Sequence, residues 1–221
     1  MFNPETPPEL TVSRWFNSKE PVTLAGLKGR VVLLTAFQLL CPGCVEHGLP
    51  QARRLRQRFS PEQVAVIGLH TVFEHHNAMT EEVLEAFLHE YRWPFPVGVD
   101  TPDGKTMPKT MAAYEMQGTP TLLLFDREGR LRRHYFGKPD DIMLVAEIMA
   151  MAIEDTGAPR EQAAGIEKKL AQTLVNPEHD HQHHHHDHEH GEDCGCGHDH
   201  AHHHDHHHHG HDHVHGGGKS H

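Results

Sequence analysis

Two short apolar runs flank a helical segment, and their order limits the fold of this chain more than any other feature. Residues 31–37, VVLLTAF, follow a glycine and carry no charge, which is typical of a strand buried on both faces. Residues 64–69, VAVIGL, have the same character, and apolar residues recur between the runs at helical spacing: Val45, Leu49, Ala52, Leu55 and Phe59. This order predicts a βαβ unit with parallel strands, and Pro50 predicts a kink in the helix.

Further elements are predicted on both sides of this unit. Trp15 and Phe16 favour a short edge strand, and a short helical piece is predicted at residues 111–116. Thr80 can cap a helix whose inner face would carry Val83, Leu84, Phe87, Leu88 and Tyr91.

A hairpin and two helices are predicted after residue 120. Residues 121–125 and 131–136 read as strands, and the Asp-Arg-Glu-Gly sequence between them is typical of a turn. Asp140 or Asp141 can open an apolar helix. An amphipathic helix follows Pro159, with an apolar side formed by Ala163, Ile166, Leu170 and Leu174.

The Cys-Pro-Gly-Cys sequence at residues 41–44 lies where the first buried strand ends and the helix begins. At a helix N-terminus, free N–H groups and the positive end of the dipole stabilise a thiolate. The pKa of a free cysteine, about 8.5, can fall to roughly 3.5–7.5 in such a setting. The spacing predicts an exposed, nucleophilic Cys41 and a more buried Cys44 that resolves a mixed disulfide.

Zinc is the main alternative for these cysteines, because Cys-x-x-Cys is also half of a zinc site. The second pair, Cys194 and Cys196, has one residue between its members and lies far along the chain. A four-cysteine site would therefore need an unusual spacing, and the βαβ setting favours dithiol chemistry. Metal transfer through Cys41 and Cys44 themselves is a third interpretation.

Residues 9–150 resemble the thioredoxin superfamily, in particular its TlpA-like and AhpC/TSA-type redoxin group. The resemblance is carried by the apolar strand, the Cys-Pro-Gly-Cys motif, the helix proline and the Gly-Thr-Pro sequence at 118–120. It implies an α/β thioredoxin-like fold, with a central mixed β-sheet flanked by helices and an insertion at residues 71–96. It also implies that the Thr119–Pro120 bond is cis, and that Pro120 lies beside the cysteines and shapes the substrate groove.

The chain departs from the thioredoxin pattern near the cysteines. Leu40 stands where many relatives have tryptophan, and Gln38 stands where an aromatic residue is common. Thr35 occupies the place of the buried aspartate that assists proton transfer in thioredoxin. Glu46 is typical of a solvated first-turn acid, so no carboxylate base for Cys44 is evident.

A peroxiredoxin-like antioxidant function is a second alternative, because the folds are related. Peroxiredoxins carry P-x-x-x-[TS]-x-x-C, whose hydroxyl residue positions the peroxide. The two motif positions before Cys41 hold Leu34 and Gln38, and those before Cys44 hold Phe37 and Cys41. Neither cysteine fits, which argues against a fast peroxidase.

Four histidines of the body lie near the predicted site. His47 follows the cysteine pair, and His70, His75 and His76 cluster in and after the second strand. A cationic histidine could lower a thiolate pKa, but surface or strand-end positions are the commoner case. Glu74 with its two neighbouring histidines matches no known metal-ligand spacing.

The last 45 residues differ from the rest in composition. They hold 21 of the 27 histidines and nine of the 31 acidic residues, but only one of the 20 basic residues. Without apolar content this segment cannot offset the entropy of ordering. We therefore expect a redoxin domain at 1–156, an amphipathic helix at 157–176 and a disordered tail at 177–221.

The tail also predicts metal binding. Imidazoles, carboxylates and thiols bind Ni²⁺, Zn²⁺, Co²⁺ and copper ions, and the candidate ligands are His183, His184, His185, His186, Cys194, Cys196, His202, His203, His204, His206, His207, His208 and His209. In composition the tail resembles the His-rich extensions of nickel and zinc storage or chaperone proteins. Its length, acids and cysteines argue against a purification tag, and a polyelectrolyte that charges near pH 6.5 is the remaining interpretation.

Composition and charge exclude several classes. No apolar stretch reaches 18 residues, no secretory signal opens the chain, and the near-neutral body gives no footprint for nucleic acid. We expect a cytoplasmic thiol–disulfide oxidoreductase that acts on a protein or small-molecule disulfide or thiol and requires no cofactor. The alternative is a metal storage or delivery protein whose thioredoxin-like body is a docking or redox-gating module.

Overall fold

The computed structural model of the chain describes residues 2–104, 107–154, 157 and 159–173. The chain divides into two compact units, Met1–Pro177 and Glu178–His221, and the second lies wholly outside the described residues. The described strands are β1 (Val12–Phe16), β2 (Val31–Phe37), β3 (Val64–His70), β4 (Val97–Asp100), β5 (Thr121–Phe125) and β6 (Leu131–Phe136). The described α-helices are α1 (Leu49–Arg58), α2 (Glu81–Glu90), α3 (Lys109–Ala113), α4 (Asp141–Ile153) and α5 (Arg160–Thr173).

The two apolar runs form the central strands of the sheet, whose order is β1-β4-β3-β2-β5-β6. β2 and β3 are parallel, with Val31 opposite Val64 and Phe37 opposite His70, and every residue of both strands is buried. The predicted βαβ unit is confirmed. β4 is parallel to β3, whereas β1, β5 and β6 pair antiparallel with their neighbours, which makes the sheet mixed as expected.

The helix after β2 changes type along its length. Pro42 and Gly43 open it with α-helical backbone, a π-helix follows at Cys44–Gly48, and the helix continues as α1. Pro50 stands in the first turn of α1, where it has no N–H to donate to the preceding turn. The proline that predicted a kink therefore marks the change from π-helix to α-helix.

Sequence reasoning missed β4 and misplaced α3. β4 is only four residues long and contains Gly98, so its apolar pattern was too short to indicate a strand. The helix predicted at 111–116 runs instead from Lys109 to Ala113. Its start is set by the buried Asp100 carboxylate, which accepts hydrogen bonds from the N–H groups of Thr110 and Met111 at 2.8 and 2.9 Å.

Other local predictions hold with one correction. Thr80 caps α2 through a 3.4 Å hydrogen bond from the Val83 N–H, and β5 and β6 form the expected hairpin. The inner face predicted for α2 was partly wrong, because the side chains of Val83 and Tyr91 are 46% and 56% exposed. Tyr91 lies beyond the last helical residue, so the fully buried stripe consists of Leu84 and Leu88.

Alternation along β2 divides the core between two faces of the sheet. Val31, Leu33 and Phe37 pack with Cys44 on one face, and Val32 and Leu34 belong to the core on the other. The second cysteine is therefore an interior residue of the face that α1 covers. Each described helix is too short or too polar to cross a membrane.

Candidate active site

Cys41 and Cys44 lie at the end of β2 and are joined by a disulfide, with their Cα atoms 5.2 Å apart. Cys44 is fully buried, whereas Cys41 is half-buried. Strand end and helix start thus place one sulfur in the core and the other at the surface. This is the asymmetry that the motif predicted.

The first backbone groups of the helical segment contact Cys41, and one of them reaches its sulfur. The N–H of Cys44 lies 3.2 Å from Cys41 Sγ, and the N–H groups of Cys44 and Val45 both donate to the carbonyl of Cys41. An N–H that points at a sulfur favours its thiolate, because the partial positive charge of the amide offsets the negative charge. The junction therefore provides a chemical means of activating Cys41 after reduction.

Pro120 completes the cluster from a distant part of the chain. The Thr119–Pro120 peptide bond is cis, as the resemblance implies. The carbonyl oxygen of Thr119 lies 3.4 Å from Cys41 Sγ. The structure therefore brings together all three residues that were predicted for the catalytic site.

Gly48 is a residue of this site that sequence reasoning missed. A Cβ atom added at Gly48 would lie 3.0 Å from Cβ of Pro120, and one added at Gly43 would lie 3.4 Å from Pro120 Cδ. Pro120 thus packs against helix backbone that lacks side chains. A glycine inside an otherwise helical pattern is the signal that could have indicated this close approach.

The loop before Pro120 is held by its neighbours. Thr121 Oγ1 donates a 2.7 Å hydrogen bond to the carbonyl of Gly118, and the Gly137 N–H donates to the carbonyl of Pro120 at 2.8 Å. The Phe136 ring lies over Gly118, where an added Cβ would meet it at 3.1 Å. These contacts fix the wall that faces Cys41, while Phe136 itself remains 62% exposed.

The turn before Cys41 is braced by the segment after β3. Gln38, which is 1% exposed, accepts a 3.3 Å hydrogen bond from the Phe73 N–H through Oε1. The Leu40 N–H lies 3.4 Å from the sulfur of Met79. Part of the predicted insertion at 71–96 therefore supports the position of Cys41.

The acid–base groups near the dithiol differ from those of thioredoxin. Thr35 is buried on β2, and Glu46 and His47 are exposed, in agreement with the sequence interpretation of Glu46. His70 is the last residue of β3, in agreement with the strand-end interpretation, but it is 1% exposed and is therefore not a surface residue. Burial lowers the pKa of His70 to about 4, which keeps the imidazole neutral near pH 7 and excludes it as a cationic partner for a thiolate.

The predicted metal ligands cannot be placed. The tail histidines, Cys194 and Cys196 all lie outside the described residues. Within the described part of the chain, no group of three or more His, Cys, Asp or Glu side chains has the arrangement of a metal site.

Comparison with known proteins identifies the fold. A thioredoxin-like superfamily protein of known structure is 56% identical, with a TM-score of 0.66, and the match covers 69% of this chain and 97% of that one. A thiol-disulfide isomerase from Corynebacterium glutamicum is 44% identical, also with a TM-score of 0.66, and the match covers 68% of this chain and 98% of that one. A thioredoxin-like protein in the oxidized form, 23% identical with a TM-score of 0.56, shares the fold over 68% of this chain and 97% of its own. No curated protein matches the sequence.

The match to a family model covers most of the sheet and the cysteine and proline residues of the site. It extends over residues 6–134, which include the disulfide pair and the cis-proline loop, and amount to more than half of the chain. The thioredoxin-like α/β fold agrees with this match, and the chain belongs to the AhpC/TSA family.

Proposed function

We propose that this protein is a thiol–disulfide oxidoreductase in which Cys41 is the nucleophile and Cys44 is the resolving residue. The observation that carries the proposal is the disulfide at the start of the helical segment, with the half-buried Cys41 facing the cis-proline loop. The 44% identical thiol-disulfide isomerase supports the same class of chemistry.

The first step uses the reduced pair. The Cys41 thiolate attacks one sulfur of a substrate disulfide, a mixed disulfide forms, and the other substrate sulfur leaves as a thiolate. The Cys44 N–H stabilises the Cys41 thiolate. Pro120 and the exposed Phe136 form the wall along which the substrate lies.

The second step regenerates the disulfide of the enzyme. Cys44 loses its proton and attacks Cys41 Sγ, which expels the second substrate thiolate. Two electrons pass from the cysteine pair to the substrate, and the two protons of the pair end on the substrate thiols. Because Cys44 is buried, it is protected from external disulfides until the mixed disulfide has formed.

Replacement of either cysteine tests this assignment. We expect Cys41→Ser to abolish reduction of insulin disulfides, since it removes the nucleophile. Cys44→Ser should instead accumulate a mixed disulfide that mass spectrometry detects. Residual turnover in Cys41→Ser would refute the assignment.

We also propose that the tail binds divalent transition metals, which the clustering of 21 histidines after Asn176 supports. Calorimetric titration with Ni²⁺ and Zn²⁺ should show several sites in the full chain and none after truncation at Asn176. If the truncated protein keeps insulin reduction, the two activities belong to separate segments. If it binds the metals stoichiometrically, Cys41 and Cys44 are the ligands to test next.

Two narrower proposals accompany this function. Peroxide reduction is the weaker candidate for the dithiol, because Leu34 and Gln38 stand at the peroxiredoxin motif positions before Cys41. Peroxide consumption far slower than disulfide reduction would agree with that ranking.

A cytoplasmic location is supported by cysteine usage, since the four cysteines form two close pairs rather than a disulfide scaffold. Cell fractionation tests this location.

A further inference from the structure

A cavity of about 210 Å³ lies between the ends of β3 and β4 and the start of α2. We call it the His70 cavity. Its walls include the apolar side chains of Val72, Val99 and Pro102, the thioether of Met79, and the polar side chains of His70 and Glu81.

The His70 cavity is close to the reactive cysteine. Met79 Sδ lies 3.4 Å from the backbone nitrogen of Leu40, the residue before Cys41. Standard backbone dimensions put that nitrogen about 5 Å from the next Cα, so the sulfur is within about 8 Å of the Cys41 Cα. The wall of the cavity that Met79 forms is therefore next to the backbone of Cys41.

The cavity presents hydrogen-bond acceptors at His70 and Glu81, beside the imidazole of His76 and the hydroxyl of Thr80, which also line it. Nε2 of His70 is buried and has no hydrogen-bond partner among the described residues. Because burial holds the pKa of His70 near 4, the ring is neutral at pH 7, and Nε2 is its acceptor nitrogen in the tautomer that carries the proton on Nδ1. Glu81 adds a carboxylate at the start of α2.

Asp100, Arg14 and the exposed His76, which also lines the cavity, are the neighbouring titratable groups. Asp100 also lines it, but its oxygens already accept from Thr71 Oγ1 at 3.0 Å and from two N–H groups of α3. Arg14 lies 3.4 Å from Glu81 and 3.2 Å from Glu85, and all three side chains are 40% or more exposed. Exposed pairs of this kind are weak, and one cation shared by two carboxylates leaves a negative charge at the cavity.

We propose that the His70 cavity is a subsite for an alkylammonium group carried next to the disulfide of the substrate. The alkyl chain would pack on Val72 and Val99, and the ammonium would donate to Glu81 and to Nε2 of His70. The group can belong to a small aminoalkyl disulfide or to a lysine beside a cysteine in a peptide. The inference deepens the proposed oxidoreductase function and rests on it.

Three small disulfides test the proposal on the reduced full-length protein. Cystamine carries ammonium groups, bis(2-hydroxyethyl) disulfide is neutral, and 3,3′-dithiodipropionate carries carboxylates. Glu81→Gln should lower the rate-constant ratio of cystamine to the neutral disulfide by about fivefold to tenfold, as expected when one charge-assisted hydrogen bond is lost. In the same variant, the rate-constant ratio of dithiodipropionate to the neutral disulfide should rise or stay constant.

Glu85→Gln is the matched control, because Glu85 is on the same helix and contacts Arg14 but does not line the cavity. Its ratios should equal those of the wild type. Equal losses in Glu81→Gln and Glu85→Gln would indicate a general charge effect and would overturn the subsite.

One further measurement distinguishes a peptide substrate from a small aminoalkyl disulfide, and another distinguishes failure of the subsite from failure of the proposed function. Mixed-disulfide peptides with lysine or glutamate beside the cysteine show whether the Glu81-dependent preference for an ammonium group extends to peptides or is confined to cystamine. If neither the peptides nor cystamine show this preference, the proposal is overturned. Butylammonium titration followed by the His70 imidazole resonances needs no turnover. It should show saturable shifts that Glu81→Gln weakens. Lack of such shifts overturns the cavity assignment, whereas shifts in a protein without reductase activity would refute the proposed function alone.

Discussion

The two ends of the central sheet use charge in opposite ways. Where β2 ends, the dithiol is accompanied by backbone amides and by the neutral, buried side chains of Thr35 and Gln38. At the opposite end, beyond the β5–β6 turn, Arg132 lies 2.9 and 3.1 Å from the Glu154 carboxylate and 3.1 Å from Asp126. All three of these charged residues are buried.

The comparison indicates that the hairpin end contributes to stability and the dithiol end to chemistry. A buried ion pair whose partners are all present holds its segment in place, since removal of one partner leaves a charge without compensation. At the dithiol end, Cys41 can be a thiol, a thiolate or part of a disulfide. An amide dipole favours its thiolate there, and no fixed positive charge among the described residues is paired with it. We expect mutations at the hairpin end to change unfolding and mutations at the dithiol end to change chemistry.

The largest effect on stability is expected at the hairpin end. Arg132→Met should lower the free energy of unfolding by about 3–5 kcal/mol, because the buried Glu154 carboxylate would lose the cation that it pairs with. Asp126 would also lose Arg132 but would still pair with Arg130. Arg54→Met is the control, since the Arg54–Asp141 pair is exposed and should contribute about 0–1 kcal/mol. Urea unfolding measures both, and similar losses in the two variants would contradict the contrast.

The next effect is a pH dependence at the dithiol end. The pKa of His70 is about 4 in the folded protein and 6.5 in the unfolded chain, so the unfolded state binds a proton first as the pH falls. The free energy of unfolding should therefore show no loss from His70 above pH 6.5, and it should fall by about 3 kcal/mol between pH 6.5 and pH 4. Urea unfolding at several pH values should show this loss in the wild type. His70→Phe should lack that part of the slope, and an unchanged slope would mean that His70 is not buried as described.

Gly48→Ala should disturb the dithiol end through packing. The added Cβ would lie 3.0 Å from Pro120, so we expect a loss of about 1–3 kcal/mol and slower disulfide reduction. In Gly165→Ala on α5 the added Cβ meets no atom within 4 Å, and this control should be neutral or slightly stabilising. Insulin reduction by the two variants compares the sites directly. Equal activity would show that Pro120 tolerates displacement.

The smallest effect is expected on the ionisation of Cys41. In a chain that carries Cys194→Ser and Cys196→Ser, iodoacetamide alkylation of reduced Cys41 should have its midpoint at least about one pH unit below the 8.5 of a free thiol. The adjacent Cys44 N–H is the reason. A midpoint at or above 8.5 would mean that the helix start does not activate this cysteine.

Local patterns predicted much of the fold and two of the site residues. Continuous apolar runs indicated β2 and β3, and the motif spacing indicated an exposed Cys41 and a more buried Cys44. In the structure Cys41 is half-buried and Cys44 is fully buried. Pro120 was expected only through the resemblance, because nothing local indicates what a distant proline contacts. The sequence pattern did not predict β4, because this short strand is formed through its pairing with β1 and β3.

By itself the sequence determined the order of the strands other than β4 and of the helices, the position of the cysteine pair at a strand end, and the contrast in composition between body and tail. These features depend on residue periodicity and on neighbours along the chain. The tertiary structure decided that Gly48 receives Pro120, that His70 is buried and neutral, and that Met79 contacts the turn before Cys41. Each of these depends on how the sheet and the segment after β3 bring distant residues together, because burial and close approach are properties of the packed chain and not of its local sequence.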